Sequence, residues 1–405
     1  VLRFSPRRLS FRRCISTGTV IEKRDDKRKT WVAETLRKIE SLEQRKSTTP
    51  LFQIEGYDGK LPSFSEGPDG IDLYMKDEAS HPSGSLKHRL ARSLYLHALS
   101  GGVLQEGMAV VEASSGSTAI SEAWYARRLG LDYIAVLSEG TSQDKIDMIE
   151  SLGGKTVRVK DASAVYDKAK EIVKELNDKA TDGFGAGGYY LDQFGHASIA
   201  TDWRGNNNLA TSIFSQMEKE RYPIPAWIVV GAGTGGTATS IGRYLGYYSK
   251  PSKLCVVDPE DSVFYHCYET RDRSLVMDRS SRIEGIGRPR VEPSFSPEVI
   301  DRMHQVPDAA SLAAMRHLRD ILGSTGPVPG ASTGTNLYGC IKLIDEMRRE
   351  GRGGCSIVSL ICDDGRRYER TYYNDEWLKE NDIDIQPYLE QIRDFWATGV
   401  LRSTH

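Results

Sequence analysis

Short apolar runs rich in β-branched residues alternate with longer helix-periodic stretches from residue 71 to residue 365. Strands that are apolar along their whole length need cover on both faces, and intervening helices supply it. The pattern therefore dictates parallel sheets in an α/β architecture. "IDLYMKDE" (71–78), "MAVVEAS" (108–114), "YIAVLSE" (133–139), "KTVRVK" (155–160), "KLCVVDPE" (253–260) and "CSIVSLICDDG" (355–365) read as strands, and "AWIVVGAGTGGTATSIGRYL" (226–245) as strand, Gly-rich turn and helix. Helices are expected at 85–99, 117–131, 142–153 and 162–180. The first repeats Leu86, Leu90 and Leu94 four apart, begins at Ser83 and Ser85, and ends at Gly101 and Gly102.

A chain of 405 residues exceeds one ordinary core, so two α/β lobes are expected. Residues 1–47 read as a basic arm followed by a charged helical segment. Residues 48–80 with 200–390 make a large lobe that holds a phosphate, 81–199 a smaller mobile lobe, and 391–405 a C-terminal tail. The formal net charge of −2 gives no global attraction to nucleic acid or acidic membranes. There is no apolar run of the roughly 18 residues a membrane span needs. The six cysteines show no CxxC and no His-paired spacing, which argues against zinc and against a disulfide framework and leaves buried or idle thiols. The histidines form no ligand spacing either, so no metal is assigned. The first residues carry Arg3, Arg7, Arg8, Arg12 and Arg13 with no acid before Glu22. That composition predicts a mitochondrial transit peptide and a matrix location. The alternatives are a disordered basic arm that touches nucleic acid or acidic lipid, and a cytoplasmic location.

Three loops carry candidate chemistry. In "HPSGSLKHRL" (81–90) a Ser/Gly approach runs into Lys87 at a helix start, either a solvated cation or a nucleophilic amine. "EASSGSTA" (112–119) lies between a strand and a helix, and offers hydroxyls and backbone donors for a carboxylate, or an ordinary helix cap. "VVGAGTGGT" (229–237) follows a strand and opens a helix, where Gly233, Thr234, Gly235, Gly236 and Thr237 form a phosphate cup. It is no Walker A loop, and a dinucleotide reading rests on Asp258 alone. A phosphate cup, a carboxylate cup and a lysine together suggest pyridoxal 5'-phosphate, whose aldehyde forms a Schiff base with an amine.

The ordered set "TTPL", "PSGSLKHR", "SSGST", "DQFGH", "GAGTGGT", "IEGIGRP", "STGTN" and "CDDGRRY" resembles the fold type II pyridoxal-phosphate enzymes, the group of cysteine synthase and cystathionine β-synthase. The likeness covers roughly residues 48 to 375, and "EASSGSTA" and "IEGIGRPRVEPSF" look most like the cysteine desulfhydrase branch. It implies a two-lobed, tryptophan synthase β-like fold, each lobe a mainly parallel sheet covered by helices. It implies Lys87 as the Schiff-base lysine, Gly233 to Thr237 as the phosphate cup, and Ser114, Ser115, Gly116, Thr118 and Gln193 as the clamp on the substrate carboxylate. Ser117 falls where the synthases carry an Asn on the cofactor's phenolic oxygen. Asp364 falls where many members place a Ser beside the pyridine nitrogen, with Asp363 or a water as the alternative. His88 replaces a usual Asp, and Arg288, Arg290 and His196 lie near the family's active-site loops. The likeness further implies a homodimer acting on a small amino acid, cysteine or O-acetylserine. It favours β-elimination of cysteine to sulfide, pyruvate and ammonia through an aminoacrylate. Open alternatives are β-replacement with sulfide or cyanide, and a non-catalytic metabolite sensor.

Overall fold

The computed structural model describes residues 18–44, 48–56, 59–161, 164–180, 187–205 and 208–402. The basic arm and Cys14 lie outside the described residues. Along the chain run α1 (Gly18–Gln44), β1 (Leu51–Gln53), β2 (Ile71–Asp77), α2 (Lys87–Ser100), β3 (Ala109–Ala113), α3 (Ser117–Leu129), β4 (Asp132–Ser138), α4 (Gln143–Ser151), β5 (Lys155–Val159) and α5 (Val165–Asp178). Then come β6 (Gly188–Tyr190), α6 (Gln193–Ala200), α7 (Leu209–Met217), β7 (Trp227–Gly231), α8 (Gly236–Tyr247), β8 (Lys253–Pro259), α9 (Phe264–Thr270) and β9 (Arg302–Val306). The chain finishes with α10 (Asp308–Leu322), α11 (Ala331–Arg349), β10 (Cys355–Ile361), α12 (Asp375–Glu380) and α13 (Gln386–Thr398).

Two sheets result, in the α/β arrangement expected. The larger has the order β1-β2-β10-β7-β8-β9, and the smaller β5-β4-β3-β6. Every pairing is parallel except β1 with β2. Side chains alternate across a strand, so one run of apolar residues feeds two cores. In β10, Ile357 and Ile361 enter the core under α10 and α11, while Val358 and Leu360 enter the core under α7 and α8. The smaller sheet packs chiefly against α2, α3 and α4 on one face and α5 on the other.

The expected N-terminal helical segment forms, whereas the expected C-terminal tail does not. The charged helix α1 is docked: Ile39 is fully buried, with Trp31, Val32 and Leu36 packed against the same small-lobe core. Residues 391–398 are no tail but the end of α13, whose Ile392, Phe395 and Trp396 are buried in the large-lobe core. Phe395 stacks on Phe64 at 5.3 Å, and Trp396 meets Phe64 edge-on at the same separation. The polar residues between these aromatics dilute the apolar signal, so the last helix reads as surface until its period of 3.6 is considered.

Candidate active site

The chain passes from the large sheet into the small lobe just after β2, and Lys87 stands at that crossing as the first residue of α2. The approach is stitched to the carboxyl end of β10. Leu86 N–H donates to the Cys362 carbonyl at 2.8 Å, and Asp364 N–H to the Gly84 carbonyl at 3.0 Å. An antiparallel bridge pairs Ser85 with Asp363. Behind it, buried Glu78 accepts from Arg89 Nε at 2.6 Å, Thr49 Oγ1 at 2.8 Å and His81, which pins the first turn of α2 to the end of β2.

His88, unexplained from sequence, is a structural bridge. It is buried, with Nδ1 3.0 Å from Ser83 Oγ and Nε2 3.1 Å from Tyr125 Oη, and its ring lies 4.7 Å from that of Trp124. Both ring nitrogens are satisfied between α2 and α3, away from Lys87. That fixes the helix whose first residue is the lysine.

Lys87 opens into an interlobe cavity of about 510 Å³ at the carboxyl ends of β10, β7 and β3, the place where open parallel sheets hold ligands. Burial pushes its ammonium below its ordinary range, and the nearby Asp363 carboxylate opposes that shift. A second buried lysine, Lys76, is engaged by the Thr49 carbonyl and Gln216 Oε1 at 2.6 Å. Two lysines line the cavity, Lys87 and Lys145, and Lys145 is paired with Glu284 at 2.8 Å.

The glycine turn forms one wall. Gly233, Thr234, Gly235 and Thr237 line the cavity, and Gly236 begins α8 just behind them. Glycine is required sterically here. A Cβ at Gly233 would lie 2.1 Å from the Gly285 carbonyl oxygen, and one at Gly235 (φ +84°) 2.5 Å from Phe295 Cα. The bare backbone brings the positive end of α8 to the cavity, as a phosphate requires.

Across the cavity, Ser114, Ser115, Gly116, Ser117 and Thr118 line the loop from β3 into α3, and Gln193 stands at the start of α6. Thr118 Oγ1 donates to Gln193 Oε1 at 2.7 Å. Buried Glu112 accepts from Ala113 N–H at 2.9 Å and Gln193 N–H at 3.1 Å, so one carboxyl holds both halves of the clamp. Its burial pushes that carboxyl up to about 8.

One expected residue is corrected. Asp364 turns outward, caps the following turn and is gripped by Arg366, with Nη2 to Oδ2 at 2.6 Å. Burial works to raise its pKa, but those bonds and the charge of Arg366 hold the carboxyl below its ordinary value. Asp363 is the buried cavity residue, and burial pushes its own carboxyl up against the pull of Arg367. Its Oδ2 accepts from Tyr368 Oη at 2.7 Å, while Oδ1 is buried without a partner. The backbone bridge to Ser85 sets this choice. Asp363→Asn is expected to lower catalytic rate or cofactor occupancy by about tenfold, since it disturbs a buried charged hydrogen bond. Asp364→Asn, which loosens a surface pair, is expected to stay within about twofold. Parallel titrations of both variants with cofactor distinguish them.

Sequence reasoning missed several cavity groups, Lys145, Glu284, Ser332 and Cys362 among them. Ser332 lies in the first turn of α11, in a "STGTN" motif noticed but given no role. Cys362 accepts from Asn336 Nδ2 at 3.2 Å, and burial pushes its thiol up to about 12, so it lines the floor as a neutral group. Of the three peripheral polar residues, Arg288 lines the cavity and bonds Tyr166 Oη at 2.6 Å and Glu292 at 2.8 Å. Arg290 pairs with Glu292 at 3.4 Å, and His196 bonds the Leu191 carbonyl at 2.8 Å. No group of three or more metal-ligating side chains occurs among the described residues.

A pyridine aldehyde bearing a phosphate fits these residues. A half-buried amine faces a glycine cradle at a helix N-terminus, polar groups ring the floor, and the volume admits a ring with a small amino acid. Fold and site thus define a two-lobed α/β enzyme that seats a phosphate-bearing cofactor opposite a lysine. The chain belongs to the pyridoxal-phosphate dependent enzyme family, whose family model matches residues 44–363. It is 51% identical over 356 residues to the L-cysteine desulfhydrase Cds1 of Mycobacterium tuberculosis, covering 88% of this chain and 92% of that protein. It is 29% identical to a putative mitochondrial cysteine synthase of Saccharomyces cerevisiae, covering 95% of this chain and 96% of that one. Its fold is similar to that of a hydrogen sulfide-producing enzyme solved with an α-aminoacrylate intermediate, with a TM-score of 0.66, 24% identity, and coverage of 83% of this chain and 91% of that one.

Proposed function

We propose that this protein is an L-cysteine desulfhydrase, converting cysteine and water to hydrogen sulfide, pyruvate and ammonia with pyridoxal phosphate. The observation that carries the reading is a single cavity where a lysine amine with lowered proton affinity faces both a glycine phosphate cup and a serine-rich carboxylate clamp. The 51% identity to a mycobacterial cysteine desulfhydrase supports the choice of substrate.

When bound, pyridoxal phosphate supplies an aldehyde that reacts with amines and a ring that spreads negative charge away from Cα. The backbone of Gly233 to Thr237 and the start of α8 would hold its phosphate. Ser114, Ser115, Gly116 and Thr118, with Gln193, bind the substrate carboxylate and so fix Cα relative to Lys87. Lys87, its neutral amine favoured by burial, takes the Cα proton. The same amine then holds a proton that the departing sulfur needs in order to leave as sulfide. Ser332 and Cys362 present a neutral floor, and the charged side chains that line the cavity are Lys87, Asp363, Arg288 and the paired Lys145 and Glu284.

The test compares substrates. Purified protein given cysteine alone is expected to release pyruvate at least about tenfold faster than it forms cysteine from O-acetylserine plus sulfide. The reverse ratio would overturn the assignment in favour of a synthase. Two further points complete the proposal. The acid-free basic arm supports delivery to mitochondria, and the test is whether the mature N-terminus begins beyond Arg13. A homodimer follows from the family likeness alone and is tested by the oligomeric state in solution.

A further inference from the structure

Arg367 lies in the turn Gly365–Tyr368 after β10, and reaches back between the two lobes. Its Nη1 donates to Ser117 Oγ at 2.8 Å, and its Nη2 to the Ser83 carbonyl at 2.5 Å. The guanidinium lies against Gly84 (φ +70°), where an added Cβ would stand 2.7 Å from Nη2. One half-buried side chain of the large lobe thus joins the approach to Lys87, the first residue of α3 in the small lobe, and the neighbourhood of Asp363.

The chemistry of that contact is directional. A serine hydroxyl has one hydrogen to give and two lone pairs to receive, while a guanidinium only donates. With Arg367 filling one lone pair of Ser117, the hydroxyl hydrogen must point elsewhere. Two directions remain. Asp363 Oδ2 lies 3.5 Å away, at the outer limit of a hydrogen bond and far longer than its 2.7 Å bond from Tyr368 Oη. The other direction is the cavity that Ser117 lines. We propose that Arg367 is a positioning residue that turns the Ser117 hydroxyl toward an acceptor oxygen of the bound cofactor. Serine is shorter than the asparagine that the synthases carry at this position, and Arg367 supplies the orientation that the longer amide provides by itself.

The inference rests on the cofactor reading above but not on the choice of cysteine as substrate. Its test therefore uses the spectrum of protein loaded with pyridoxal 5'-phosphate as well as turnover. A hydrogen bond to a phenolic oxygen stabilises its anion, so losing the bond raises the pH midpoint of the visible absorbance. Arg367→Gln and Ser117→Ala are each expected to move that midpoint up by about one pH unit. Each is expected to lower kcat by about tenfold with KM for cysteine changed less than about twofold. The double variant is expected to be no worse than either single one, and Arg367→Lys, which keeps one donor, to recover part of the shift. An unchanged midpoint in Arg367→Gln would overturn the proposal, as would additive effects in the double variant. If Arg367→Gln does not fold, an unchanged midpoint in Ser117→Ala overturns it equally. If the wild-type protein releases no sulfide from cysteine, the substrate assignment fails while the spectral titration still decides the role of Arg367.

Discussion

Lys87→Ala is expected to cut cysteine turnover by at least about 10⁴-fold, because one amine serves as covalent anchor and proton carrier. The yellow absorbance of a lysine-bound cofactor is expected to vanish with it. Fold stability should change little. Lys87 opens a helix whose position is set by other residues, with Glu78 gripping Arg89 and His88 bridging Ser83 and Tyr125. Removing a half-buried cation that burial already disfavours also relieves a desolvation cost. Absorbance, turnover and thermal midpoint measured on one preparation separate lost chemistry from lost fold. Retained yellow absorbance in the variant would mean that another amine, such as Lys145 at the cavity wall, anchors the cofactor.

The second large effect is at Gly235. This residue has φ +84°, and a methyl group there would meet Phe295 Cα at 2.5 Å and Phe295 Cβ at 2.7 Å. The left-handed backbone alone costs an L-residue about 1–2 kcal/mol. Overpacking against a buried aromatic adds about 1–3 kcal/mol. Phe295 is fully buried and stacked on Phe264 at 4.3 Å, so it has little room to retreat. Gly235→Ala is therefore expected to push the start of α8 out of register with the cavity. Cofactor affinity should fall by about a hundredfold, together with a lower thermal midpoint. Equilibrium dialysis with pyridoxal 5'-phosphate measures the first effect and a melting curve the second. Thr237→Ala, which leaves the turn intact, should show the smaller loss of one hydroxyl contact.

Most of the architecture was legible because the signals were local. Apolar strands at β3, β4, β7, β8 and β10 stand out in the sequence, and the loops after β3 and β7 carry their own glycines and hydroxyls. Lys87 was legible through the order of those loops along the chain. Elements at the margins were not. β6 is three residues long, and β9 puts half-buried Arg302 and Gln305 on the sheet edge, which breaks the apolar run. The "DD" of residues 363 and 364 offers two carboxylates, and only the backbone bridge to Ser85 decides which one enters the cavity. Arg367 and Ser332 were missed for a related reason. Their partners, Ser117 and Cys362, are distant in sequence, so nothing local marks either residue as part of the site. His88 likewise gained a role only when Tyr125 came within 3.1 Å across two helices.

The most direct test of the account is product stoichiometry from L-cysteine as sole substrate, measured for the wild-type protein and for Lys87→Ala. Sulfide, pyruvate and ammonia are expected in equal amounts from the wild type, and none above background from the variant. Cysteine consumed without pyruvate, or sulfide release that survives in Lys87→Ala, would contradict it.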